Sequence, residues 1–172
     1  MYNNLMIIRP AQLTDLQSIT DLTVQLFQKH QEIDPEYYQY VSDYTLKIYS
    51  WAEQQLASSS QFLIVAENDG SVKKIVGFIS GYIKYLFPWF KFSSVGHISF
   101  LVIDPEYQKK GIGKELAEGA KKWFSSRDLN YIEVFTNEKN EAGLSAWKAY
   151  GYSPFNKFLR KKIPANGQST PV

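Results

Sequence analysis

The chain has 172 residues, 44% of them hydrophobic and 21% charged, with no cysteine, two histidines and a net charge of +2. That length predicts one domain, and these proportions exclude wholesale disorder. The lack of cysteine excludes disulfide frameworks, thiolate zinc sites and cysteine nucleophiles, and His30 and His97 alone make a metal centre improbable. The near balance of 19 basic and 17 acidic residues argues against a nucleic-acid backbone as the main partner. No apolar run approaches the roughly 18 residues of a membrane span, and the N-terminus lacks the order of a secretory signal, so no membrane partner and a cytoplasmic location are expected.

Ile7 and Ile8 open a short strand that Pro10 closes. Thr14 reads as a helix N-cap with Gln17 in the capping-box position, followed by Leu16, Ile19, Leu22 and Leu26 at helical spacing. Gln31 to Tyr38, with Pro35, interrupts that helix, and a second is expected from about Ser42 to Ala57. Phe62–Ala66 and Ile75–Ile83 are β-rich runs around Asn68-Asp69-Gly70, a hairpin signal. Tyr85 to Ser94 holds the densest aromatic cluster and reads as a loop. His97–Ile103 reads as a strand stopped by Asp104-Pro105, and Gly111 to Ser125 as an amphipathic helix. A strand over Tyr131–Phe135 and a helix from Glu141 to Tyr150, ended by Gly151, follow. A last strand or strand pair is expected within Phe155–Ile163, and 164–172 should be a loose polar tail. The whole is a mixed-sheet α/β domain over residues 1–163.

Phe100 to Leu116 is the stretch that carries chemistry. A glycine-rich turn between strand and helix leaves backbone N–H groups unpaired at the positive end of the helix dipole, which makes an anion site. Gly111 and Gly113 let backbone approach a phosphate closely, and Lys109, Lys110 and Lys114 add charge. The dinucleotide fingerprint would need glycine where Leu116 stands, and the nucleoside-triphosphate loop would need it at Gln108. Two glycines alone are equally compatible with a tight turn flanked by solvated lysines.

The longer run Leu101-Val102-Ile103-Asp104-Pro105-Glu106-Tyr107-Gln108-Lys109-Lys110-Gly111-Ile112-Gly113-Lys114 resembles the acetyl-coenzyme A signature of the GNAT superfamily of N-acetyltransferases, Gln/Arg-x-x-Gly-x-Gly/Ala. Asn140, with Gly151-Tyr152 eleven residues on, is similar to that family's C-terminal Asn...Tyr...Gly-Phe segment. The resemblance implies a mostly antiparallel sheet with a splayed parallel strand pair and flanking helices, and acetyl-CoA as cosubstrate. It implies that the backbone of Leu101, Val102 and Ile103 pairs with the pantetheine arm, the Val102 N–H polarising the thioester carbonyl. Gln108, Lys109, Lys110, Gly111, Ile112, Gly113 and Lys114 would surround the pyrophosphate, and Asn140 would also touch the cofactor. The amine would enter over Asp34 to Tyr38 and the aromatic loop, where Asp34 and Glu36 suit a cationic acceptor.

Two positions depart from the family pattern. Trp147, counted here with the cofactor-contacting residues, stands where relatives carry the tyrosine that protonates the leaving thiolate. A thiolate of pKa about 8.5 needs little such help, and Tyr150 and Tyr152 are substitutes. Ser99 and Phe100 stand where many relatives carry a glutamate base. An alkyl ammonium of pKa about 10.4 must lose a proton before attack, which leaves His97 on the strand and Glu133 on the next as candidate bases. The expected activity is acetyl transfer from acetyl-CoA to a primary amine, of small-molecule type, by a monomer or homodimer. Two alternatives stay open: a non-catalytic CoA-binding or sensing module, and an α/β domain whose phosphate loop serves another nucleotide.

Overall fold

The computed structural model describes residues 6–163. Five strands lie side by side in chain order: β1 (Met6–Pro10), β2 (Gln61–Asn68), β3 (Ile75–Tyr85), β4 (Ser94–Ile103) and β5 (Ile132–Val134). The first four pair antiparallel, and β5 joins β4 in parallel. That one parallel step requires a crossover, which α3 (Ile112–Ser125) supplies.

Alternation along the strands, reset by register shifts at Ala66/Glu67 and Ser80/Gly81, divides the side chains between two cores. On one face Leu63, Val65, Phe78 and Val102 meet Leu16, Ile19 and Leu22 of α1 (Leu16–Ile33) and Ala52 of α2 (Tyr44–Ala57). On the other, Phe62, Ile64, Val76, Ile79 and Ile98 meet Ile112, Leu116, Ala120 and Phe124, one helical stripe of α3. The α3 stripe packs so closely that a Cβ on Gly96 of β4 would sit 2.7 Å from the Phe124 ring. Beyond β5, α4 (Glu141–Ala149) brings Trp147 against this second core.

Several sequence expectations shift. Thr14 does not cap α1. A short 3-10 turn over Leu13–Asp15 leads in instead. The Asp15 carboxylate accepts from the Gln12 amide at 2.8 Å and from Arg9 Nη1 at 2.7 Å. Arg9 also binds Glu67 through Nε at 2.8 Å, locking β1, β2 and the start of α1 together. α1 runs past Gln31 to Ile33, and Pro35 ends it because the residue before a proline is pushed out of helical conformation. The hairpin at Asn68 forms as expected, with its side-chain oxygen accepting from the Lys74 amide at 2.6 Å.

The strand expected within Phe155–Ile163 does not form among the described residues. Its large apolar side chains, Phe155, Phe158 and Leu159, stay exposed. β5 is only three residues long and offers little edge to pair with. The segment is held instead by charge: Arg160 Nη2 lies 2.7 Å from Asp34, and Lys162 pairs with Glu36. The expected 164–172 tail lies outside the described residues. No helix among the described residues is long and apolar enough to cross a membrane.

Candidate active site

The site begins where β4 and β5 part. Gly96, His97 and Ile98 pair with Ile132, Glu133 and Val134, and the ladder stops there. At the same point β4 slips against β3: Gly81 faces Ile98 while Ser80 faces Phe100, so Ser99 is an extra residue. Such a bulge bends a strand and raises its twist. From Ser99 to Ile103, β4 therefore has β3 on one side and an open edge on the other.

The register decides which amides face that opening. Asp104 N–H donates to the Val76 carbonyl at 2.8 Å. Bonding alternates along an antiparallel pair, so Val102 turns its amide into the β3 ladder, opposite Phe78, while Leu101 and Ile103 turn theirs to the open edge. The expected role of the Val102 N–H is thereby corrected: that donor is already engaged. The Ile103 carbonyl accepts from Gln108 Nε2 at 3.1 Å, consistent with this direction.

The turn after β4 is tightly fixed. Asp104 accepts from the Glu106 amide at 3.1 Å and from Lys74 Nζ at 2.8 Å. Lys109 (φ 59°) and Gly111 (φ 86°) then take left-handed backbone, which curls successive N–H groups toward one side. The amides of Lys109, Lys110, Gly111, Ile112 and Gly113 donate to no backbone carbonyl among the described residues. A Cβ on Gly111 would meet nothing within 4 Å, so glycine is required there for its φ alone. Lys109, Lys110 and Lys114 are exposed around these amides, Lys110 with its Nζ 4.9 Å above the Tyr107 ring. Bare amides, a helix N-terminus and three lysines make a cradle suited to a diphosphate.

His97 and Glu133 lie side by side across β4 and β5. The His97 ring packs between Tyr82, at 4.9 Å, and Phe135, at 5.0 Å, and its Nδ1 is buried without a hydrogen-bond partner among the described residues. Burial, reinforced by the charge of Lys84 and opposed by Glu133, pushes its pKa down, so at neutral pH the imidazole is uncharged and able to accept a proton. Glu133 is less free, because Lys84 Nζ lies 2.7 Å from its carboxylate.

On α4, the Asn140 side chain accepts from the Gly143 amide at 3.0 Å and so caps the helix. Trp147 stands edge-on to Tyr152 at 5.0 Å, and Tyr150 reaches across to Gly113 at the head of α3. Burial pushes the Tyr152 hydroxyl up to about 12, so it stays neutral.

The profile of the acetyltransferase (GNAT) family matches residues 21–152. The chain belongs to the GNAT acetyltransferase family. Acetyl-CoA is the family's cosubstrate, and the cradle and the open edge of β4 fit its two polar parts, diphosphate and pantetheine amides. A mutant of the BH1408 protein from Bacillus halodurans is similar in structure, with a TM-score of 0.79 at 16% identity over 92% of this chain and 99% of that one. So is the aminoglycoside N-acetyltransferase AAC(6')-Iy in complex with CoA, with a TM-score of 0.72 at 16% identity over 95% and 97%. The aminoglycoside antibiotic 6'-N-acetyltransferase AAC(6')-Ih from Acinetobacter baumannii matches with a TM-score of 0.71 at 13% identity over 94% and 100%. At these identities the likeness is one of fold.

In this GNAT chain the open edge of β4 at Leu101 and Ile103 leads into Lys109–Lys114 at the head of α3, and His97 lies on β4 two residues before the Ser99 bulge. Asp34 and Glu36, expected to meet a cationic acceptor, are engaged by Arg160 and Lys162. The sequence reading names the backbone of Leu101, Val102 and Ile103 together and gives the carbonyl-polarising role to Val102, whereas the register turns the Leu101 and Ile103 amides to the open edge. Which amides face the opening depends on the β3–β4 register, seen in the Asp104–Val76 bond, and has no signal in the sequence alone.

Proposed function

We propose that the protein transfers the acetyl group of acetyl-CoA to a small primary amine by direct attack. The observation that carries this reading is the row of bare amides from Lys109 to Gly113, continuous with the open edge of β4. In the proposed complex the amides hold the diphosphate while Ile103 pairs with the pantetheine arm. Acetyl-CoA supplies an acetyl thioester, whose carbonyl carbon the amine nitrogen attacks as the C–S bond breaks and CoA thiol leaves.

Leu101 lies further from the cradle than Ile103 and nearer the bulge, so its N–H is the donor for the thioester carbonyl. A fixed donor aimed at developing negative charge is typically worth about 100-fold to 1,000-fold in rate. His97 is the base: its uncharged imidazole takes the surplus proton of the acceptor amine, directly or through water. With a thiol of pKa about 8.5 leaving, no strong acid is needed, which is compatible with Trp147 in place of tyrosine.

The names of the similar aminoglycoside acetyltransferases favour a small polar amine as acceptor. A free-thiol release screen over amines of graded size and charge tests the reading: amine-dependent thiol release is expected. Tight CoA binding with no release across a broad panel would instead identify a CoA-sensing module.

A further inference from the structure

Tyr150 closes α4, and its hydroxyl reaches the first turn of α3. A Cβ built on Gly113 would overlap that hydroxyl and lie 3.3 Å from the ring carbon that bears it. Gly113 is one of the residues whose amide is bare, so the phenol sits against the diphosphate cradle and not against the reacting end of β4. The ring is braced edge-on by Trp147 at 5.8 Å, which fixes where the hydroxyl points. Burial raises the pKa of that hydroxyl above its ordinary value, so it is a protonated donor at neutral pH.

We propose that Tyr150 is a diphosphate-positioning residue: its hydroxyl, beside Gly113, donates a hydrogen bond to the CoA diphosphate alongside the backbone amides. The inference rests on the acetyl-CoA reading above and gives Tyr150 a role different from the proton donor expected from sequence. It also accounts for glycine at position 113, where the signature accepts glycine or alanine: here alanine's methyl group would displace the phenol.

The test is calorimetric titration of the full chain with CoA, for wild type and Tyr150→Phe, together with phosphorus NMR of bound CoA. Tyr150→Phe keeps the ring and its packing, and an unchanged melting temperature verifies that the fold survives. Hydrogen bonds to charged groups contribute enough that affinity should fall roughly 10-fold. The two diphosphate resonances should move in the variant while the 3'-phosphate resonance stays in place. Gly113→Ala should also weaken binding, and less so in a Tyr150→Phe background. Wild-type affinity in Tyr150→Phe, or weaker binding with unmoved diphosphate resonances, would overturn the assignment and leave the acetyl-CoA reading standing. If wild type itself failed to bind CoA, both would fall.

Discussion

His97 is enclosed on one side by Tyr82 and on the other by Phe135, with Lys84 and Glu133 as the charges in its surroundings. Burial and Lys84 both disfavour the imidazolium, so proton acceptance stays available down to a pH below 6.5, the ordinary histidine value. At saturating amine, kcat should hold steady near neutrality and decline only below pH 6.5. His97→Asn should lower kcat roughly 100-fold or more and remove that acid limb. A pH–rate profile of both proteins checks this, and an unchanged limb in the variant would move the base elsewhere. His97 and Glu133 were legible as equals in the sequence because both are titratable and lie on neighbouring strands. What separates them, the Lys84 ion pair on Glu133, links residues 49 positions apart and has no local signature.

The site's backbone donors depend on two elements, the bulged β4 and the turn into α3. The turn was legible because its demands are local: left-handed backbone at Gly111 and a helix starting directly after it. Gly111→Ala places a Cβ in open space but at φ 86°, so the penalty is conformational, about 1–2 kcal/mol. Chemical denaturation should show a loss of that size, and CoA affinity should fall with it as the amides lose their shared direction. The bulge at Ser99 was not legible, since it depends on how β4 registers against β3. Without it, the amide facing the opening could not be deduced from the resemblance alone, and the expectation settled on Val102. The missing last strand has a similar origin. Phe155, Phe158, Leu159 and Ile163 make the segment apolar enough to read as a strand, but pairing requires an edge longer than the three residues of β5.

Across the whole molecule, the mixed sheet and its helices follow from periodicity and the order of elements, while the parallel β4–β5 pair was legible only through the family resemblance that the Leu101–Lys114 signature carries. Stability has a pH signature of its own. Burial lowers the pKa values of both His30 and His97, so the folded chain binds fewer protons than the unfolded chain once the pH drops below 6.5. Stability contributed by their neutral forms is therefore present above pH 6.5 and lost as pH falls through the lowered folded values. A second loss follows below the carboxylate range. For Asp15, burial opposes ionisation, but Arg9 and the Gln12 amide outweigh it and hold the pKa below 3.8. Melting temperature should thus decline in two stages on acidification, and replacing both histidines with asparagine should flatten the first.

The central claim is that backbone amides on one continuous path receive acetyl-CoA. A nitrogen–proton correlation NMR titration with CoA addresses it residue by residue. The account predicts the largest shifts at the amides of Lys109–Gly113, Leu101 and Ile103. The Val102 amide should stay protected from solvent exchange with and without CoA, as a member of the β3 ladder. Saturable binding with those amides unmoved, or with Val102 exposed and shifting in place of its neighbours, would contradict it.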